Sequence, residues 1–230
     1  MSTMVEFASN GGTAAGYLAL PPGGTGPGLV VLQEWWGLDP SLKIMVDRFA
    51  AEGFVALAPD LYHGELAAHD EMDKAGALMN AMPFDRAARD MQGALTYLAG
   101  HEAVTGGRLG VTGFCMGGML TLALAALAGD AVGAAVPFYG FPPPPMEPDW
   151  SGLTAAVRGH MAGIDDFFTP DGARALEAKL QGLGKDVQFT VHEGAGHAFM
   201  NPQDSIGNFD AALSAKVWPE AVGFLHDQLG

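Results

Sequence analysis

The pentapeptide Gly113-Phe114-Cys115-Met116-Gly117 constrains this chain more than any other segment, because of what stands on either side of it. Arg108–Thr112 reads as a short strand, and Gly117–Ala128 as an apolar helix. A strand that becomes a helix within so few residues needs neighbours without side-chain bulk, and glycine supplies them. Such a turn lifts its apex residue above the sheet edge. It also leaves the Met116 amide at a helix N-terminus, facing any negative charge that develops there. The same helix end is expected to favour a thiolate at Cys115. Free cysteines are more commonly small buried hydrophobes. With 33 glycines in 230 residues, however, glycine on both sides of the only cysteine has a chance frequency of about 2%. That favours Cys115 as a candidate nucleophile.

The rest of the chain supplies a matching frame. Gly28–Gln33 and Phe54–Ala58 are short apolar runs of the kind buried on both faces of a sheet, and Ser41–Glu52 between them has helical spacing. Helical patterns recur near Glu71–Met82 and over Asp85–Leu98. Ala134–Phe138, Val157–Met161 and Val187–His192 read as further strands, with a helix over Pro170–Gly182. The alternation predicts an α/β fold, a mostly parallel central sheet flanked by helices on both faces, as one domain over residues 1–230. Pro219 is expected to kink or divide the last helical segment, Phe209–Leu229. The run Phe141–Pro145, with four consecutive prolines, reads as a stiff loop rather than a helix or central strand.

Charge narrows the partners. A net charge of -15 and a pI near 4.6 argue against nucleic acid and anionic membranes, both of which need a concentrated positive patch. One cysteine rules out an intrachain disulfide, and no basic residue precedes an apolar run near the N-terminus, so a cytoplasmic location is expected. The histidines are too scattered for a metal site, and neither metal nor cofactor is expected. The partner expected is a small molecule, met by a monomer or weak homodimer.

A thiol needs a base. His197, in Gly196-His197-Ala198-Phe199 just after the last predicted strand, sits among small residues that let an imidazole swing toward Cys115. His160 and His192 fall on predicted strands and are weaker candidates; His63, His69, His101 and His226 have no supporting context. Asp165 and Asp166 follow the strand before the Pro170 helix, and either could orient the imidazole. Spacing from the strand favours Asp165, with Asp166 capping the helix or facing water.

These segments, with Gln33-Glu34-Trp35-Trp36-Gly37 and Pro59-Asp60-Leu61-Tyr62, resemble the dienelactone hydrolase (carboxymethylenebutenolidase) family of the α/β-hydrolase superfamily along nearly the whole chain. The resemblance implies hydrolysis of a small ester or enol-lactone through a Cys-His-Asp triad and an acyl-enzyme, with Cys115, His197 and either Asp165, which spacing favours, or Asp166 as its members. It implies that Glu34 contacts the resting thiol and helps to generate the thiolate, and that the Trp35 amide joins the Met116 amide as oxyanion donor. Phe199 is expected in the substrate pocket. Two departures stand out: where dienelactone-hydrolysing members carry arginines, this chain has Asn201 after the histidine and Met72, Gly76 and Met79 on the earlier helix. Arg86 and Arg89 are the remaining cations that could reach the cleft. A noncatalytic ligand-binding module of the same fold is the alternative expectation.

Overall fold

A computed structural model describes residues 1–230. Eight strands form one sheet: β1 (Ser2–Ser9), β2 (Gly12–Ala19), β3 (Gly26–Leu32), β4 (Val55–Pro59), β5 (Val104–Phe114), β6 (Val132–Phe138), β7 (Ala156–Ile164) and β8 (Val187–Gly196). Their order is β1-β2-β4-β3-β5-β6-β7-β8. β1 and β2 pair antiparallel, as do β2 and β4, and the remaining pairs are parallel. β3 and β6 are buried at every residue, as expected of strands covered on both faces.

The helices are α1 (Pro40–Ala51), α2 (Met72–Ala81), α3 (Phe84–Ala99), α4 (Met116–Ala128), α5 (Pro170–Gly182) and α6 (Ala211–Leu229). α1 and α6 cover one face of the sheet through Val46, Phe49, Val217, Ala221 and Leu225. α3, α4 and α5 cover the other through Met91, Leu98, Leu120, Leu124, Leu176 and Leu180. No helix is long and apolar enough to cross a membrane.

Three expectations change. The amino-terminal β1–β2 hairpin is absent from the sequence reading, although Asn10 and Gly11 at its turn, both with positive φ, form a recognised hairpin pair. α6 runs through Pro219 undivided, because Val217, Trp218, Ala221 and Val222 are packed on either side of it. The proline run does contain a helical turn, a single 3-10 turn over Pro144–Met146.

Parallel pairing places the ends of β3, β5, β6, β7 and β8 along one edge, with Leu32 opposite Gly113, Phe114 opposite Phe138, Phe138 opposite His160 and Ile164 opposite Gly196. The residues just beyond those ends are Gln33-Glu34, Cys115, Tyr139, Asp165 and His197. Five neighbouring strands thus deliver their next residues to one edge, where ligand crevices of open α/β sheets form.

Candidate active site

Cys115 sits between β5 and α4 with φ 55 and ψ -118, a backbone conformation that side-chain-bearing residues rarely adopt. Three main-chain hydrogen bonds hold it there: its N–H donates to Phe138 O at 3.1 Å, and its carbonyl accepts from Gly118 N at 2.9 Å and Met119 N at 3.2 Å. The glycine requirement is steric. A Cβ on Gly113 would lie 2.4 Å from the Gly117 carbonyl oxygen, and one on Gly117 would lie 2.4 Å from the Leu32 oxygen. Both obstacles are backbone and cannot step aside.

His197 follows β8 directly, and its Nδ1 lies 2.7 Å from Asp165 Oδ2. The other carboxylate oxygen, Oδ1, accepts from the Phe167 and Phe168 amides at 2.9 and 3.0 Å. These bonds fix the carboxylate and hold Nδ1 as donor, leaving Nε2 as the free imidazole nitrogen. Phe168 stacks on the ring and Tyr139 meets it edge-on. Asp166 is exposed, and Thr169, not Asp166, caps α5. The open choice between the aspartates thus closes on Asp165 as the imidazole's partner.

Glu34 follows β3. Its Oε2 accepts from Asn201 Nδ2 at 2.6 Å and its Oε1 from the Tyr139 hydroxyl at 3.4 Å. Burial raises its pKa, against opposing pulls from His197 and the Asn201 hydrogen bond. Burial also pushes the Cys115 thiol well up; the Glu34 carboxylate adds to this, and the hydrogen bond from the Met116 amide only partly offsets it. The expected thiolate-favouring effect of the helix end is present but smaller than these opposing effects, which hold the thiol's pKa above its ordinary value. No hydrogen bond joins the thiol to Glu34 or His197 at rest, although Glu34 is near enough to act on the thiol electrostatically.

These groups open into a cavity of about 580 Å³ lined largely by apolar side chains. Six of them are methionines: Met72, Met79, Met82, Met116, Met119 and Met146. Trp35, with an amide that finds no acceptor in the chain, and Trp36 form another wall. No lysine or arginine lines the cavity. Arg86 points instead at the Leu61 carbonyl, and Arg89 is engaged with the Asn10 side chain. Pro143 of the stiff loop is part of the rim. Phe199 departs from expectation. Its ring is wholly buried against Tyr139 and His192, because its carbonyl, which accepts from Asp210 N and Ser214 Oγ, is drawn onto the start of α6.

His160 and His192 lie side by side on β7 and β8, Nδ1 to Nε2 3.2 Å, outside the cavity lining. His69, without context in the sequence, joins three parts of the site: Nε2 lies 2.9 Å from Asp39 Oδ2, Nδ1 lies 2.9 Å from Ser205 Oγ, and the ring stacks on Trp36. Asp39 also caps α1, and Ser205 belongs to the loop that overhangs the cavity. Tyr62, quoted only as part of a motif, holds the Trp35 turn by donating to its carbonyl at 3.1 Å. Tyr139 carried no sequence signal beyond following a strand.

Comparison with known proteins agrees with this geometry. The dienelactone hydrolase family matches residues 14–229. Protein usf of Aquifex pyrophilus is 36% identical, and a putative carboxymethylenebutenolidase of Aquifex aeolicus 34% identical, each match covering all of both chains. A dienelactone hydrolase-like promiscuous phosphotriesterase from metagenomic libraries superposes with a TM-score of 0.86 at 26% identity, over 100% of this chain and 99% of that one. With the family model matching almost its entire length and relatives of 34–36% identity aligned over all of both chains, the chain belongs to the dienelactone hydrolase family, and it is a hydrolase of esters or lactones on the α/β-hydrolase fold.

Proposed function

We propose that this protein hydrolyses small, uncharged esters or enol-lactones by a cysteine mechanism, with Cys115 as nucleophile, His197 as general acid and base, and Asp165 orienting the imidazole. One observation carries the reading: a strained Cys115 and the 2.7 Å His197–Asp165 pair open into the same apolar cavity. The Met116 and Trp35 amides supply the oxyanion site, since donors fixed in advance stabilise developing charge most effectively.

In the resting state the thiol is neutral, so attack begins with proton loss. Glu34 takes the thiol proton as the sulfur turns toward the acyl carbon. The C–S bond forms and the carbonyl oxygen moves between the two amides. The C–O bond to the leaving group then breaks, and the proton, passed on through His197, departs with that oxygen. Water next gives one proton to His197 and its hydroxide to the thioester carbon. The C–S bond breaks, the imidazole returns its proton to sulfur, and the acid product leaves.

The cavity selects against anions. A buried substrate carboxylate needs a paired cation, and no lysine or arginine lines the walls. Six methionines suit an apolar acyl or aryl group of irregular shape. The partner in this reading is a small molecule, met by a monomer or weak homodimer in the cytoplasm. An ester and lactone panel run with a thiol-directed covalent probe tests the reading. Turnover blocked in step with labelling at Cys115 supports it, whereas full turnover by the labelled protein would refute it.

A further inference from the structure

Asn201 occupies an unusual place: it is the only side chain that hydrogen bonds at short range to Glu34. Its orientation is fixed at both ends. Its Oδ1 accepts from the Gln203 amide at 2.9 Å, which turns Nδ2 toward Glu34 Oε2 at 2.6 Å. Its own N–H donates to Ala198 O at 2.8 Å, and its carbonyl accepts from Asp204 N at 3.2 Å. Asn201 is therefore a rigid bracket between the His197 loop and the carboxylate that faces the thiol.

A bracket of this kind can orient a carboxylate with or without neutralising it. An arginine would do both. Asparagine donates a hydrogen bond and brings no charge. The charged or titratable groups that act on Glu34 are His197, Asp39, His69 and the Cys115 thiol, with Tyr139 at its other oxygen. No lysine or arginine shares the cavity with it. Resting on the reading of Glu34 as proton acceptor, we propose that Asn201 is a positioning residue which fixes the Glu34 carboxylate beside Cys115 by a neutral hydrogen bond, and that its lack of charge sets the pH at which Glu34 can take the thiol proton. Burial, which raises the Glu34 pKa, acts in the same direction as the missing cation.

The test follows the acid limb of two pH profiles in the full-length protein: kcat/KM for a neutral aryl ester, and alkylation of Cys115 by iodoacetamide. Asn201→Ala removes a donor that stabilises the ionised carboxylate, so both limbs should move up by about one pH unit. Asn201→Asp, nearly isosteric and able to fold where the alanine variant does not, places a like charge beside Glu34 and should move them further up. Asn201→Arg should move them down by about one unit and slow turnover of the neutral ester, because a neutralised carboxylate is a weaker base. A merely structural Asn201 would lower the melting temperature yet leave the limb at its wild-type pH in all three variants; that result overturns the proposal. Glu34→Gln separates the two layers. If it leaves the limb in place, Glu34 is not the acceptor and both readings fall. If it abolishes the limb while the Asn201 variants do not move it, the bracket alone is wrong.

Discussion

Asp165 holds His197 from one side only: Oδ2 takes the imidazole Nδ1 at 2.7 Å while Oδ1 is occupied by two backbone amides. Asp165→Asn should lower kcat by roughly 10²–10⁴-fold, because an amide can present its N–H to Nδ1 and invert the tautomer. The exposed Asp166→Asn should stay within about 0.5 kcal/mol of wild type in stability and near it in rate. Steady-state kinetics of the pair decide the matter; a reversed order would move the role to Asp166.

Cys115→Ala should abolish acyl transfer, and Cys115→Ser should leave a weak remnant, since a hydroxyl is far harder to deprotonate than a thiol. A hydroxylamine trap for the acyl-enzyme distinguishes the two. Wild-type turnover by the alanine variant would end the cysteine mechanism.

Substrate charge is a third point of decision. A neutral aryl or short-chain alkyl ester should exceed a matched carboxylate-bearing lactone in kcat/KM by at least about tenfold, a gap of ~1.4 kcal/mol in transition-state binding. Competition between the two substrates in one vessel measures this directly. Preference for the anion would show that a cation reaches the pocket during turnover.

His160 gives a pH prediction away from the cavity. Burial, with a smaller contribution from His192, lowers its pKa from 6.5 to about 3. Between these values the unfolded chain binds a proton that the folded one refuses. Stability is therefore complete above about pH 6.5 and falls toward pH 3, at up to ~1.4 kcal/mol per pH unit. His160→Asn should flatten this part of the urea midpoint against pH curve. An unchanged slope would assign the acid sensitivity to other groups.

Gly117→Ala tests the elbow. The added Cβ would stand 2.4 Å from a strand carbonyl, so the turn must open. A loss of several kcal/mol is expected, of the order of ~3 for overpacking against fixed backbone. Thermal unfolding of Gly117→Ala beside Gly107→Ala, where nothing lies within 4 Å, gives the contrast.

What could be read from the sequence was what local chemistry enforces. The elbow was legible because a strand that becomes a helix around one residue marks itself locally, as Gly113 against Gly117 does, although Gly117 itself answers to the distant Leu32 carbonyl; His197 stood out because it follows a strand among small residues. The β1–β2 hairpin was not, since Phe7 alone in β1 is buried and the strand carries little apolar pattern. Phe199 was misplaced because spacing cannot say on which side of the following turn a ring is buried. The His69–Ser205 contact spans 136 positions, and no local pattern announces it. The balance at Cys115 was only half legible: the helix end, whose Met116 amide does lower the thiol's pKa, is visible in sequence, while the burial and the facing Glu34 that outweigh it are assembled only by the fold.

That outweighing has a consequence for the chemistry of survival. Peroxide and environmental electrophiles react with thiolates, and a sulfur kept protonated at rest offers them little. The chain has a single cysteine, so an oxidised Cys115 would have no neighbouring thiol to reclaim it through an internal disulfide. Under the proposed mechanism, in which Glu34 takes the thiol proton only as the sulfur attacks, the sulfur's reactivity is confined to productive encounters, and the carboxylate proposed to activate the atom also protects it at rest.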